Sequence, residues 1–90
     1  MLIDFDPVKH DITLAERGLD FSDAAHVFAG NHFTAADNRL GYAESRYITA
    51  GLLNGRMVVL VWTPRGAVRR IISMRKANER EIAKYAHYFD

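Results

Sequence analysis

Asn54-Gly55 stands between two apolar, strand-like runs, Arg46 to Leu53 and Arg56 to Thr63. A type I′ turn needs positive φ at both central residues, so this dipeptide is the strongest short hairpin signal. It commits the flanking runs to antiparallel pairing. Pro64-Arg65-Gly66 marks the next turn, and Ala67 to Arg75 supplies a third run. The spacing therefore predicts an antiparallel meander over residues 46–75, with Met57 to Trp62 as its middle and most buried strand.

The segments before and after the meander read as helices laid on that sheet. Leu2 to Phe5 alternates in polarity like a short strand. Asp6 then serves as an N-cap, with Pro7 at the first helical position, where its missing N–H costs nothing. Val8, Ile12, Ala15 and Leu19 recur at helical spacing and predict the buried stripe, and Gly18 supplies a left-handed stop. A second helix is expected from Ser22, with Phe21, Ala25 and Phe28 inward and Gly30 at its end. His32 to Ala36 reads as a short strand, and Asp37 to Glu44 as a polar loop. Asn78 with Glu81 forms a capping box ahead of a last helix, whose inner face is Ile82, Tyr85, Ala86 and Phe89. The expected order is β-α-α-β-β-β-β-α, a single α+β domain over residues 1–90.

Ninety residues are enough for one core without staples. The absence of cysteine excludes a disulfide framework, a thiol nucleophile and a cysteine zinc site. No apolar stretch is long enough to cross a bilayer, and the acidic N-terminal residues carry no signal-peptide pattern. A soluble cytoplasmic protein without membrane contact is the expectation. The net charge of +1 hides a division. Residues 1–55 hold four Lys or Arg against eight acids, whereas residues 56–90 hold eight against three. Such a division predicts a two-signed surface, able to meet an acidic ligand and a basic partner separately.

The cations concentrate in Arg69-Arg70-Ile71-Ile72-Ser73-Met74-Arg75-Lys76-Ala77. In an ideal strand Arg69, Ile71, Ser73 and Arg75 share one face, and Arg70, Ile72, Met74 and Lys76 the other. Arg70, Arg75 and Arg46 are candidate phosphate stabilisers, because guanidinium forks match phosphate oxygens. Ser73 is a candidate hydrogen-bond donor, Lys76 a candidate general acid, and Arg69 an extra cation for RNA. Against this stands the plain reading of solvated strand residues. Glu44 is a candidate base for a ribose 2′-hydroxyl, and Tyr47 a candidate for stacking on a base. The competing reading pairs Glu44 with Arg46. Trp62 is favoured as a core anchor over a stacking platform. The four histidines lack metal-type spacing, so no metal or cofactor is expected. His32 alone is worth testing.

Phe5-Asp6-Pro7-Val8-Lys9, Gly18-Leu19-Asp20-Phe21, Ala24-Ala25 and Phe28 resemble the opening of the BrnT toxins. The resemblance continues through Asp37, Glu44, Arg46-Tyr47, Gly51 and Asn54-Gly55. It is most specific in Arg70-Ile71-Ile72-Ser73, Arg75-Lys76-Ala77. It implies a compact RelE-like domain and a ribonuclease that arrests translation and growth. It also implies a BrnA-type ribbon-helix-helix antitoxin, with operator DNA contacted only through that partner. The chain departs from the family at Thr13, Glu16 and Arg17, where Asn, Lys and His are usual, and at Met74, where Ala is common.

Two functions from different classes follow. The first is a metal-independent endoribonuclease toxin that uses Arg46, Arg70, Arg75, Lys76 and Glu44. The second is a non-catalytic binding module, or an inactive toxin relic, acting as an antitoxin-bound co-repressor. Both principal arginines reach one phosphate only if the strand bulges or ends near Met74.

Overall fold

The predicted hairpin forms the centre of the fold in a computed structural model, which describes residues 1–38 and 44–89. Asn54 and Gly55 adopt φ of 53° and 78°, the double positive φ of a type I′ turn. They join β3 (Tyr47–Leu53) to β4 (Arg56–Arg65). β5 (Val68–Lys76) follows on the other side of β4, so the meander forms as expected. Its second turn lies later than predicted. Pro64 and Arg65 continue β4, and the chain reverses at Gly66, whose φ is 61°, and Ala67. Pro64 is tolerated near the strand's end, where a missing N–H disturbs little of the ladder.

The sheet has five strands in the order β1-β5-β4-β3-β2, with β1 at Leu2–Phe5 and β2 at His32–Ala36. It is mixed, which corrects the expectation of a wholly antiparallel sheet: β1 runs parallel to β5. A parallel pair needs a long crossing connection, which here begins with helices. Those helices are α1 (Pro7–Arg17) and, after a 3₁₀ turn at Phe21–Asp23, α2 (Ala24–Ala29). α3 (Glu79–Tyr85) and a final 3₁₀ turn (Ala86–Phe89) close the chain. The predicted polar loop 37–44 lies partly outside the described residues.

Caps form where the sequence places them. The Asp6 side chain accepts from the Val8 N–H at 2.9 Å, and Gly18 stops α1 with φ 69°. The Asn78–Glu81 capping box is complete in both directions. The second helix starts later than Ser22, because Asp20 accepts from the Ser22 N–H and holds the 3₁₀ turn first.

Buried Leu19, Phe21, Ala24, Val27 and Phe28 pack on Val58, Leu60, Trp62, Ile71 and Met74. Ala24 and Val27, rather than Ala25, are the fully buried residues of α2. α1 corrects its predicted stripe: Val8 and Ile12 are 65% and 51% exposed. Half-buried His10 and Thr13 face inward instead. His10 is held there by stacking on Phe5 at 4.8 Å and by the Asp20 carboxylate at 2.8 Å. Gly51 lets α2 approach β3, since a Cβ there would meet Val27 Cγ1 at 2.5 Å. The inner face of α3 is also less buried than predicted: Ile82 is exposed, while Tyr85 and Tyr88 stack on Phe33 of β2.

Candidate functional site

The cation-rich strand β5 is irregular. Val61 pairs with Ser73 and Trp62 with Ile71, so Ile72 is an extra residue in a β-bulge. The bulge reverses the alternation on one side of it. Met74 and Ile71 both point to the core under α2 and the 3₁₀ turn at Phe21–Asp23, and Arg70, Ser73 and Arg75 all share the opposite face, where Glu81 of α3 meets Arg75. The condition derived from the sequence is met, two residues before Met74.

Registers across the sheet arrange that face in rows. Arg70 pairs with Thr63 and with Asp4 of β1, Ser73 with Val61, and Arg75 with Val59. Adjacent rows are about 7 Å apart, twice the rise of a strand residue. Ser73 therefore lies midway between the two arginines. Val61 and Ile48 are half-buried and form an apolar floor beside Ser73. At one end of the face Asp37 N–H donates to the Arg46 carbonyl at 2.8 Å, extending the β2–β3 ladder beyond Tyr47. That continuation puts Arg46 in line with Ile48, on the same face.

Carboxylates hold the principal arginines. Arg75 forms a bidentate pair with Glu81 at 2.6 and 2.7 Å. That fork, with the Asn78 N–H, holds the Glu81 carboxyl at about 2 against an ordinary 4.5. Arg70 donates to Asp4 at 2.7 Å, and this bond, with the Phe5 N–H, lowers the Asp4 pKa. Glu44 approaches Arg65 at 3.6 Å, so its ionic contact is not the predicted one with Arg46.

The remaining candidates lie on the face that packs against α2 and the 3₁₀ turn. Tyr47 stacks on Trp62 at 5.0 Å, which occupies one face of its ring. Arg69 lies 4.4 Å from the Phe28 ring and 4.7 Å from that of Trp62, a cation–π setting. Lys76 pairs with Val58 and is separated from Arg70 and Arg75 by the sheet itself. Trp62 is a core residue, donating to Thr49 Oγ1 at 2.8 Å, as the packing reading expected. His32 bonds the Gly30 carbonyl at 2.9 Å and meets Phe28 edge-on. Among the described residues no group of three or more His, Asp or Glu side chains could hold a metal ion, and no helix is long and apolar enough to cross a membrane.

Sequence reasoning missed two partners, Asp4 and Glu81. A register between the first and fifth strands is invisible in local pattern, and Glu81 read only as a capping residue. It also missed Arg17, whose guanidinium donates to the Met74 carbonyl at 3.1 Å.

Residues 5–81 match the family model described as ribonuclease toxin, BrnT, of type II toxin-antitoxin system. The chain belongs to the BrnT family. None of the curated proteins compared with it matches. The match begins at Phe5, the last residue of β1, and covers β2, β3, β4, the bulged β5 and the start of α3. This BrnT chain is therefore a ribonuclease toxin of a type II toxin–antitoxin system, for which RNA is the substrate and an antitoxin the partner.

Proposed function

We propose that the face carrying Arg46, Arg70, Ser73 and Arg75 is where RNA is cut, by metal-independent transesterification. The observation that carries this is the Ile72 bulge, which gathers Arg70, Ser73 and Arg75 on the side of the sheet where Arg46 also lies. A scissile phosphate over Ser73 lies one row from each arginine, within the reach of a guanidinium arm. The ribose 2′-hydroxyl attacks the adjacent phosphorus, and Glu44, next to Arg65 at the Arg70 end, accepts its proton. The bond to the 5′-oxygen breaks, that oxygen takes a proton from water, and a 2′,3′-cyclic phosphate remains. Arg70 and Arg75 stabilise the charge that gathers on the phosphoryl oxygens, with Arg46 as a third cation. Both arginines exchange a carboxylate for the phosphate when RNA binds. Lys76 has no part in this step.

In the same reading the domain, residues 1–90, has a RelE-like arrangement and acts in the cytoplasm to inhibit translation. A BrnA-type ribbon-helix-helix antitoxin neutralises it and carries the complex to operator DNA. The test uses an RNA with a single 2′-deoxy nucleotide at the cut site. Cleavage is expected to stop there, and to persist in EDTA at other sites. Cutting at the deoxy position, or loss of all cutting in EDTA, overturns the mechanism.

One observation favours the second reading, a binding module without catalysis. Arg70 and Arg75 are both already paired with carboxylates. Growth arrest without RNA cleavage supports that alternative.

A further inference from the structure

A cleft of about 330 Å³ opens on the other side of the sheet, between the Gly18–Asp23 segment and the β3–β4 hairpin. Its floor is apolar, made by Leu19, Leu53 and Val58. Its rim carries Asn54, Arg56 and Lys76, with Asp23 as the acid of the lining. Arg17 precedes Gly18 of the lining, and its bond to the Met74 carbonyl draws it toward the strand that carries Lys76. A second cavity of about 280 Å³ shares Asp23, Leu53 and Asn54 with the first and extends the groove to His26.

The charges here differ from those on the rest of β5. Arg70 and Arg75 have carboxylate partners, and Arg69 has two aromatic rings. Among the described residues neither Arg56 nor Lys76 makes an ion pair, and the bond of Arg17 goes to a neutral carbonyl. Arg56 and Lys76 in the lining, with Arg17 flanking it, outnumber the single acid Asp23, and a concave wall concentrates the excess positive field. The volume reaches the lower end of small-molecule sites. An aliphatic floor suits the face of a base, and Asn54 and Asp23 offer acceptors and donors to its edge.

We propose that this cleft binds one nucleotide of an RNA chain, with the phosphate on Arg17, Arg56 and Lys76 and the base over Leu19, Leu53 and Val58. It is an accessory site, since the sheet separates it from the Arg70–Arg75 face. The inference rests on the ribonuclease reading only for the identity of the ligand as RNA. The departing residue Arg17 thus contributes charge rather than acid–base chemistry.

Uridine 5′-monophosphate titrated into the ¹⁵N-labelled protein is expected to shift the amides of Gly18, Asn54 and Lys76. Uridine, which lacks the phosphate, is expected to bind at least tenfold more weakly. The double variant Arg56→Gln/Lys76→Gln changes two exposed side chains, and its melting temperature is checked first. It should lose those shifts. Its binding to an uncleavable 2′-O-methyl RNA should depend less on salt, the slope of log K against log salt becoming shallower by about 0.7 for the one phosphate no longer held. Binding of the mononucleotide with no change in the RNA slope also overturns the proposal, because it marks a free-nucleotide site. Shifts confined to the Arg70–Arg75 face, or none, overturn it as well. Failure of the nuclease reading looks different: no RNA is cut, while the cleft still shifts with nucleotide.

Discussion

Glu81→Gln isolates the charge of the Arg75–Glu81 pair while keeping an oxygen for the capping box. In the folded chain Glu81 accepts from both Arg75 terminal nitrogens and from the Asn78 N–H at 3.0 Å. Its carboxyl titrates at about 2 rather than 4.5. At about 1.4 kcal/mol for each tenfold change in proton affinity, that difference sets a ceiling of about 3 kcal/mol. Glu81 is 21% exposed and Arg75 43%, so solvent screening reduces the expected loss to about 1–2 kcal/mol at neutral pH. The folded value is depressed, so the stabilisation is complete above pH 4.5 and disappears as pH falls toward 2. Urea unfolding at a series of pH values measures it. Wild type and variant should differ at pH 7 and converge as pH approaches 2. A difference that is absent at pH 7, or constant down to pH 2, refutes the assignment of this stabilisation to the ion pair.

Gly51→Ala places a Cβ at 2.5 Å from Val27 Cγ1 and 3.2 Å from His32 Cβ, and should cost about 1–3 kcal/mol in denaturant unfolding. Ile12→Lys removes an exposed residue from the outer face of α1 and should change stability by less than about 0.5 kcal/mol. Asp4→Ala releases the Arg70 guanidinium, and affinity for uncleavable RNA should rise in a filter-binding or anisotropy titration.

Local chemistry carried most of the fold. Asn54-Gly55, the Asp6-Pro7 start, the Gly18 stop and the Asn78–Glu81 box depend on neighbours in sequence, and each forms where the residues place it. The failures share a different cause. β1 adds to the far edge beside β5, an association between the two ends of the chain order that no local period encodes. That same association supplies Asp4 to Arg70. The stripe Val8, Ile12 has helical spacing yet turns outward, because His10 fits between Phe5, Phe21 and Asp20 and fixes the rotation of α1.

The candidate site was legible in residue type and only partly in placement. An ideal strand divides Arg70 from Arg75, and the bulge that reunites them is one unpaired residue, Ile72, with no turn-former to announce it. Lys76 shows the limit of reading a basic cluster as a unit, since it adjoins Arg75 in sequence and faces the other side of the sheet. The cleft near Arg56 was illegible for a further reason. Its walls come from three separated segments, near residues 18–23, 53–58 and 76, and each looks like an ordinary loop or strand end alone.

The central claim is that the bulge-gathered arginines stabilise the transition state of RNA cleavage. The direct measurement is the single-turnover cleavage rate of one RNA by purified Arg75→Ala, run beside Glu81→Gln, which loses the same ion pair but keeps the cation. A rate at least about 100-fold lower in Arg75→Ala, with cleavage retained in Glu81→Gln, is the predicted result. Wild-type cleavage by folded Arg75→Ala contradicts the account.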